Sequence, residues 1–194
     1  MTAEWNPAPA QSTVPVLQIV GYKNSGKTTL ACRLIQALSQ QGIRVGSAKH
    51  DAHHFELDDP GTDSSKHLHH GAIETVLTSQ NATRAMRKAE TSLEEIAKSM
   101  AGRADLLIAE GFKSAGYPKI ALIRDAEEMN ALRDQATNIR LWISWEKNIS
   151  VNPVTASLGV NTPLVILPLM DEALVDQAIL SLAMSLLCKQ VQPD

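Results

Sequence analysis

The sequence predicts an α/β fold in which helices flank a mostly parallel sheet. Short apolar segments alternate with longer amphipathic segments along most of the chain, which is the order that a parallel sheet covered by helices requires. The most informative segment is residues 21–28, G-Y-K-N-S-G-K-T, which match the G-x-x-x-x-G-K-[ST] pattern completely. An apolar segment precedes it and a helical pattern follows it, and this context predicts a fold of the P-loop NTPase type.

A buried strand and an amphipathic helix are predicted on either side of the motif. Residues 16–20 read V-L-Q-I-V, as expected of a buried parallel strand. Apolar residues then recur at helical spacing, at Leu30, Ala31, Leu34, Ile35 and Leu38. Gly42 stands where a C-terminal cap is expected, because glycine readily adopts the left-handed conformation that ends many helices.

The motif predicts a binding site for the phosphates of a nucleotide. Backbone N–H groups of such a loop, together with the N-terminus of the following helix, suit an anion. Gly21 and Gly26 let the backbone approach the phosphates closely. Lys27 is expected to reach the β- and γ-phosphates, and the Thr28 hydroxyl is expected to ligate Mg²⁺.

The remaining chain continues the alternation. Residues 1–13 contain two prolines and little periodicity, and we predict a flexible tail there, followed by a single nucleotide-binding domain at 14–194. Further strands are predicted at 43–48, 73–78, 105–111, 119–124, 139–145 and 164–167. Helices are predicted at 64–70, from a capping box at Ser92 to Gly102, and from Asp171 to about Leu187, with a loop at 51–63 and either a helix or a loop at 127–136.

Polar clusters follow two further predicted strands. In open α/β sheets ligands bind outside the carboxyl ends of the strands. Lys49-His50-Asp51 is one such cluster and Glu110-Gly111-Phe112-Lys113 is the other. Glu110 is expected to anchor the metal or orient the attacking water, although such anchors are more often Asp and the alternative is a solvated acid. Gly111 would let the backbone approach the terminal phosphate.

The histidines permit a second interpretation. His50, His53 and His54 precede a Pro-Gly turn, and His67, His69 and His70 follow it. Such a cluster could build a nickel or zinc site, which would suit a nickel-loading GTPase metallochaperone. However, the second group does not share one helix face and no thiolate is nearby, so we favour a solvated cluster. A third alternative is a nucleotide-binding scaffold without meaningful turnover.

Composition narrows the classes of protein. The net charge of −3 over 194 residues gives no general electrostatic case for binding nucleic acid or an anionic membrane. The two cysteines lie far apart without a C-x-x-C pair, which favours a reducing compartment. No apolar segment is long enough for a membrane span and no signal-peptide pattern is present. We therefore expect a cytoplasmic protein that binds neither nucleic acid nor membrane.

Several segments together resemble the molybdopterin-guanine dinucleotide biosynthesis adapter family, MobB. They are the loop at 21–29, A-K-H-D-A-H-H-F-E-L-D-D-P-G-T-D-S at 48–64, G-A at 71–72, D-L-L-I-A-E-G-F-K at 105–113 and P-K-I-A-L-I-R-D at 118–125. The resemblance covers about residues 14–125, with a fainter match at 163–171. The segment at 48–64 and the E-G-F-K tetrapeptide are much more discriminating than the phosphate loop, which many families share.

The resemblance implies a GTP-binding, weakly GTP-hydrolysing homodimer. It would act beside the MobA-type guanylyltransferase that joins GMP to molybdopterin, and molybdopterin and molybdoenzyme-maturation factors are further candidate partners. The residues implied to hold the phosphates and Mg²⁺ are Gly21, Lys23, Asn24, Ser25, Gly26, Lys27, Thr28 and Thr29. Those implied to line or close the site are Lys49, His50, Asp51, Asp63, Ser64, Glu110, Gly111 and Lys113, with Glu110 and Asp51 as the catalytic candidates and Glu110 with Thr28 as the Mg²⁺ ligands.

Two features depart from this pattern. The sequence contains no N-K-x-D motif for reading guanine, so the preference for GTP over ATP rests on the resemblance alone. Residues 126–162 fit the family poorly and are expected to hold a different base pocket or a partner surface. Apolar segments at 120–123 and 141–143 lie outside the minimal phosphate-loop core, and we expect a second copy of the chain to cover them.

Overall fold

The computed structural model describes residues 13–51, 55–147 and 166–188, which form two compact units. The first unit comprises the described residues up to His50 and those from Leu93 onward, and the second comprises those between Asp51 and Ser92. The expected tail lies outside the described residues apart from Thr13. The single-domain boundary at 14–194 therefore stays a prediction.

Strands and helices mostly alternate in the described chain, except where a hairpin follows α2 and where β6 follows β5 without a helix between them. The strands are β1 (Val16–Gly21), β2 (Val45–Lys49), β3 (Glu74–Thr78), β4 (Thr83–Arg87), β5 (Leu106–Glu110), β6 (Lys119–Ile123), β7 (Ile139–Ser144) and β8 (Ile166–Pro168). The helices are α1 (Lys27–Gln40), α2 (Asp63–His69), α3 (Leu93–Ser99), α4 (Ala126–Gln135) and α5 (Glu172–Cys188). The segment that could have been a helix or a loop is thus helical, and Asp125 caps it by accepting a hydrogen bond from the Glu128 N–H at 2.8 Å.

Six strands of the first unit form one parallel sheet in the order β2-β5-β1-β6-β7-β8. Helices pack on both faces because alternate residues of the strands point to opposite sides. On one face, Leu17 and Ile19 of β1 share a buried cluster with residues of α1 and α5. On the other face, Val16 packs with α3 and Val20 packs with α4. The expected fold class, a mostly parallel sheet with flanking helices, is confirmed.

The second unit contains α2 and an antiparallel hairpin of β3 and β4. The sequence pattern indicated the first hairpin strand but missed its partner. Residues 83–87 read T-R-A-M-R, and only Met86 among them is buried, so no apolar alternation marks the strand. Because β3 pairs in this hairpin, it is not a further strand of the parallel sheet.

The strands at 119–123 and 139–144 lie inside the sheet rather than at a bare edge. Strand β6 is buried at all five positions between β1 and β7, and β8 flanks β7 on its other side. The expectation that a second copy covers the apolar segments 120–123 and 141–143 is therefore wrong, since the chain covers them itself. Among the described residues, the apolar side chains left most exposed include Ile73 at 85% and Met170 at 78%.

None of the helices in the described ranges has the length and apolarity needed to cross a membrane.

Candidate phosphate-binding site

The loop between β1 and α1 has the backbone that its motif predicts. A Cβ atom on Gly21 would lie 2.5 Å from the carbonyl oxygen of Leu122, so only glycine fits where the loop leaves the sheet. Asn24 and Gly26 adopt left-handed φ angles of 61° and 93°. Among the described residues, no side chain caps the N-terminus of α1, and no acidic residue stands in the first turn of this helix. The N–H groups and partial positive charge at this terminus are thus left for an external anion.

Lys27 bends back over the loop. Its ammonium donates a hydrogen bond to the carbonyl oxygen of Tyr22 at 2.6 Å. Burial lowers the pKa of Lys27 below its ordinary value, the nearby carboxylate of Glu110 opposes this shift, and the charges of Lys113 and Lys49 add to it. Lys27, Lys49 and Lys113 thus place three positive charges near the loop against the carboxylates of Glu110 and Glu128, and a polyphosphate would complement this excess of positive charge.

Glu110 ends β5 beside the first turn of α1. The Thr28 hydroxyl lies 3.0 and 2.8 Å from its two carboxylate oxygens, and the Lys49 ammonium lies 3.6 Å from one of them. The parallel register pairs Lys49 directly with Glu110, which explains why the two side chains meet at the same sheet edge. A hydroxyl and a nearly buried carboxylate are hard oxygen donors of the kind that Mg²⁺ prefers, so Thr28 and Glu110 fit the ion that the motif implies.

The backbone after β5 packs closely on the end of β2. Gly111 has a φ of 88°, and a Cβ atom there would lie 3.2 Å from the Cβ of His50. The N–H of His50 donates to the carbonyl oxygen of Glu110 at 2.9 Å, and the His50 ring meets the Phe112 ring edge-on at 5.1 Å. His50 is thus held by packing next to the strand ends, where its role toward a nucleotide stays a prediction.

Lys113 is placed by two residues that frame the loop. Its ammonium lies 4.2 Å from the centre of the Tyr22 ring and 3.1 Å from the Oε1 atom of Gln135. The side-chain amide of Gln135 also lies 3.3 Å from the Tyr22 hydroxyl. Gln135 was not singled out in the sequence because it stands at the end of a polar helix, where nothing distinguishes it.

Two buried polar side chains anchor the segment that carries Gly111 and Lys113. Gln18, at the middle of β1, donates to the carbonyl oxygens of Gly111 at 3.0 Å and Phe112 at 2.7 Å. Lys119, at the start of β6, donates to the carbonyl oxygens of Ala115 and Tyr117. Burial lowers the pKa of Lys119. A glutamine within V-L-Q-I-V and a lysine opening K-I-A-L-I were the only sequence signals for these anchors.

Trp145 contacts the phosphate loop directly. Its indole N–H donates to the carbonyl oxygen of Ser25 at 2.9 Å, although 47% of the residue is exposed. This residue lies in the segment that departs from the family pattern, and no motif identified it as part of the site.

Of the remaining candidates on the loop and on the first turn of α1, Lys23, Asn24 and Thr29 are exposed.

The candidates at 51–64 belong to the second unit. Asp63 begins α2 and forms an ion pair with Lys66 at 2.9 Å. The Ser64 hydroxyl donates to Asp58, which also accepts hydrogen bonds from Thr62 and Arg84. The hydrogen bond from Ser64, more than the other contacts, lowers the pKa of Asp58. These contacts order the 58–64 segment internally, and the nucleotide roles of Asp51 and Asp63 stay predictions.

The described residues give no geometric support for a metal site built from the histidines. His53 and His54 lie outside them. Among the residues that the structure does describe, no three histidine, cysteine, aspartate or glutamate side chains come together as a metal site would require.

Comparisons with known proteins agree with this geometry. The family model described as "Molybdopterin guanine dinucleotide synthesis protein B" (MobB) matches residues 16–145. A molybdopterin-guanine dinucleotide biosynthesis adapter protein of Escherichia coli K12 is 37% identical over 120 residues, which are 59% of this chain and 69% of that protein. A probable adapter protein of Bacillus subtilis 168 is 33% identical over 128 residues, 64% of this chain and 73% of the relative.

Solved structures give the same result at the level of the fold. The crystal structure of a MobB homologue from Bacillus stearothermophilus superimposes with a TM-score of 0.67 at 27% identity, covering 88% of this chain and 98% of the other. The Bacillus subtilis MobB structure gives a TM-score of 0.67 at 28% identity, covering 85% and 96%.

Proposed function

The chain belongs to the MobB family and thus to molybdopterin guanine dinucleotide biosynthesis, and we propose that it acts there as a GTP-binding adapter. It assists the MobA-type guanylyltransferase that joins GMP to molybdopterin, works in the cytoplasm and hydrolyses GTP weakly. The observation that carries this proposal is the meeting of Lys27, Thr28 and Glu110 at one glycine-rich loop.

Each of these residues has a distinct task in the proposed complex. Lys27 moves its ammonium from the carbonyl oxygen of Tyr22 to the β- and γ-phosphates, and the N-terminus of α1 adds its N–H groups. Thr28 and Glu110 hold Mg²⁺, which supplies charge neutralisation at the phosphate oxygens when it is bound. Glu110, with Asp51 as the second candidate, orients the attacking water. Lys49 and Lys113 add positive charge from β2 and from the segment after β5.

The selectivity for guanine is the least direct part of the proposal. The relatives are named for the biosynthesis of molybdopterin-guanine dinucleotide, and a protein that assists in the synthesis of a guanine dinucleotide has a reason to bind GTP. Isothermal calorimetry with GTP and ATP, each with and without Mg²⁺, tests this part. We expect saturable, Mg²⁺-dependent binding of GTP and weaker binding of ATP. Equal affinities would contradict guanine selectivity, and an absence of binding to both would contradict the site itself.

The adapter role requires a physical partner. A pull-down with the purified guanylyltransferase, with and without GTP, is expected to retain both proteins. The same assay is then repeated with molybdopterin-loaded transferase and with maturation factors. Turnover of GTP measured with and without the transferase separates an adapter that hydrolyses GTP from a scaffold without meaningful turnover. If the transferase neither binds nor changes the rate of guanine dinucleotide formation, the adapter role is wrong.

The chain is proposed to act as a homodimer. Since the chain itself covers β6 and β7, the physical support comes from apolar residues of the second unit, where Ile73 is 85%, Val76 55% and Leu77 53% exposed. Two-fold association is the commonest way for a homo-oligomer to cover such residues. Light scattering at micromolar concentration tests the proposal, and a particle of 21.0 kDa with and without GTP would contradict it.

A further inference from the structure

Trp145 holds one specific peptide group of the phosphate loop. It follows β7, and its own backbone N–H donates to the carbonyl oxygen of Ile123 at 3.0 Å, so the sheet fixes the position of the residue. From there its indole N–H donates to the carbonyl oxygen of Ser25 at 2.9 Å. The ring also lies against Gly26, since a Cβ atom built there would be 3.7 Å from the Cζ2 atom.

This contact determines the orientation of the N–H that follows it. The C=O of Ser25 and the N–H of Gly26 belong to one planar trans peptide group, in which the two bonds point in opposite directions. The indole holds the oxygen on the Trp145 side, and the Gly26 N–H therefore points away from Trp145. That N–H stands directly before Lys27, at the start of α1, where the motif requires a donor for phosphate.

The loop needs such support from outside because its own conformation is uncommon. Asn24, which is not a glycine, has a φ angle of 61°, and non-glycine backbone in this region persists only when the surrounding structure fixes it. Ser25 is fully buried, but its hydroxyl meets no hydrogen-bond partner among the described residues. Its backbone makes the contacts instead, with the N–H bonded to the Tyr22 carbonyl oxygen at 3.3 Å and the C=O to Trp145.

We propose that Trp145 is a positioning residue of the phosphate loop, which sets the Ser25–Gly26 peptide in the orientation that binds phosphate. The inference rests on the proposed nucleotide binding and adds a residue that the motif does not contain. It also explains why a large aromatic side chain stays 47% exposed at this point of the surface. Because the contact is to the loop backbone, Trp145 acts on the phosphates of any nucleotide and not on the base.

The test compares two probes on two matched variants. Inorganic tripolyphosphate and GTP are titrated, each with Mg²⁺, into the full chain, Trp145→Phe and Trp142→Phe. The first variant keeps an aromatic ring but lacks the N–H donor, while the second makes the same change three residues earlier, on β7, where Trp142 is buried against α4. We expect Trp145→Phe to weaken both probes by the same factor, about two- to tenfold for one hydrogen bond. Trp142→Phe should leave both affinities unchanged.

The outcomes separate this inference from the function on which it rests. If the unaltered chain binds neither probe, both fail together. If it binds both and Trp145→Phe binds them equally well, only the positioning role is wrong. A loss confined to GTP would also overturn it, because the ring would then act on the nucleoside. As a second measurement, Trp145 fluorescence in a Trp5→Phe, Trp142→Phe chain should change on adding tripolyphosphate, and an unchanged spectrum would contradict the proposal.

Discussion

The hydroxyl of Thr28 lies within hydrogen-bond distance of both carboxylate oxygens of Glu110, at 3.0 and 2.8 Å. Thr28 stands in the first turn of α1 and Glu110 at the end of β5, so the contact joins the phosphate loop to the neighbouring strand. Only 12% of the Glu110 side chain is exposed, and Lys49 approaches it from β2. The two candidate Mg²⁺ ligands are thus already side by side.

Replacing Glu110 with glutamine is expected to slow hydrolysis far more than it weakens binding. Glutamine retains an oxygen that accepts from Thr28 but lacks the charge needed to hold Mg²⁺ or to orient water. The single-turnover rate of GTP hydrolysis should fall by about 10²-fold or more. Glu94→Gln makes the same change at an exposed position of α3, where the residue pairs with Lys98, and serves as the control. Equal rates for the Glu110 variant and the unaltered chain would exclude Glu110 from the reaction.

The Lys27→Ala variant should lose nearly all triphosphate binding while it keeps the fold. The ammonium of Lys27 already donates a hydrogen bond to the Tyr22 carbonyl oxygen of the loop, and a charge-assisted contact contributes about 1.5–3 kcal/mol. We therefore expect calorimetry to show GTP affinity reduced by at least tenfold. The melting temperature should remain close to that of the unaltered chain, and Lys98→Ala should bind normally. Unchanged affinity in a folded Lys27→Ala protein would show that phosphates bind elsewhere.

The sequence predicted the parts of the site that depend on local pattern. The spacing of Gly21, Gly26, Lys27 and Thr28 defines the loop within eight residues, and the acid at 110 closes an apolar segment that could only be a buried strand. Parallel strands place their carboxyl ends at one edge, so the sequence placed Thr28 and Glu110 at the same edge of the sheet, but the pairing of β1 with β5 that brings them into contact was not predicted.

The sequence did not predict contacts between distant residues that lack a shared pattern. Trp145 meets Ser25 across a sequence separation of 120, and Gln18 meets Phe112 across 94. Neither pair has a periodicity or spacing that signals the contact. The second hairpin strand was missed for a related reason, since a strand exposed at four of five positions carries no apolar alternation.

A methyl group on Gly21 should destabilise the loop. It would lie 2.5 Å from the carbonyl oxygen of Leu122, and because that atom belongs to the buried β6 backbone it cannot move aside easily. We expect Gly21→Ala to lower the free energy of unfolding by about 1–3 kcal/mol and to weaken GTP binding. Gly116→Ala is the matched control, since nothing lies within 4 Å of its Cβ position. Similar urea midpoints for the two variants would contradict the close approach at Gly21.

The buried ammonium of Lys119 gives the stability a distinctive pH dependence. Lys119 is fully buried, and burial lowers its pKa in the folded chain below the ordinary value of 10.5. At pH values between the lowered pKa of the folded chain and 10.5, the unfolded chain binds a proton that the folded chain does not. The free energy of unfolding therefore rises with pH in this range. Lys98 provides the opposite case, because a hydrogen bond to Glu94 raises its pKa. Its contribution to stability is present at lower pH and is lost as the pH rises through the raised pKa.

Urea unfolding of the unaltered chain, Lys119→Met and Lys98→Met at several values between about pH 8 and pH 10 tests this difference. Subtracting the Lys119→Met free energy from that of the unaltered chain cancels the other titrating groups, including Lys27. We expect this difference to increase with pH, while the difference for Lys98→Met stays constant over this range, because the Lys98 contribution is lost only above the ordinary pKa of 10.5. At neutral pH Lys119→Met also leaves the carbonyl oxygens of Ala115 and Tyr117 without their donor, which should loosen the segment that carries Lys113. A pH-independent difference for Lys119→Met would mean that its ammonium keeps an ordinary pKa and is exposed to solvent.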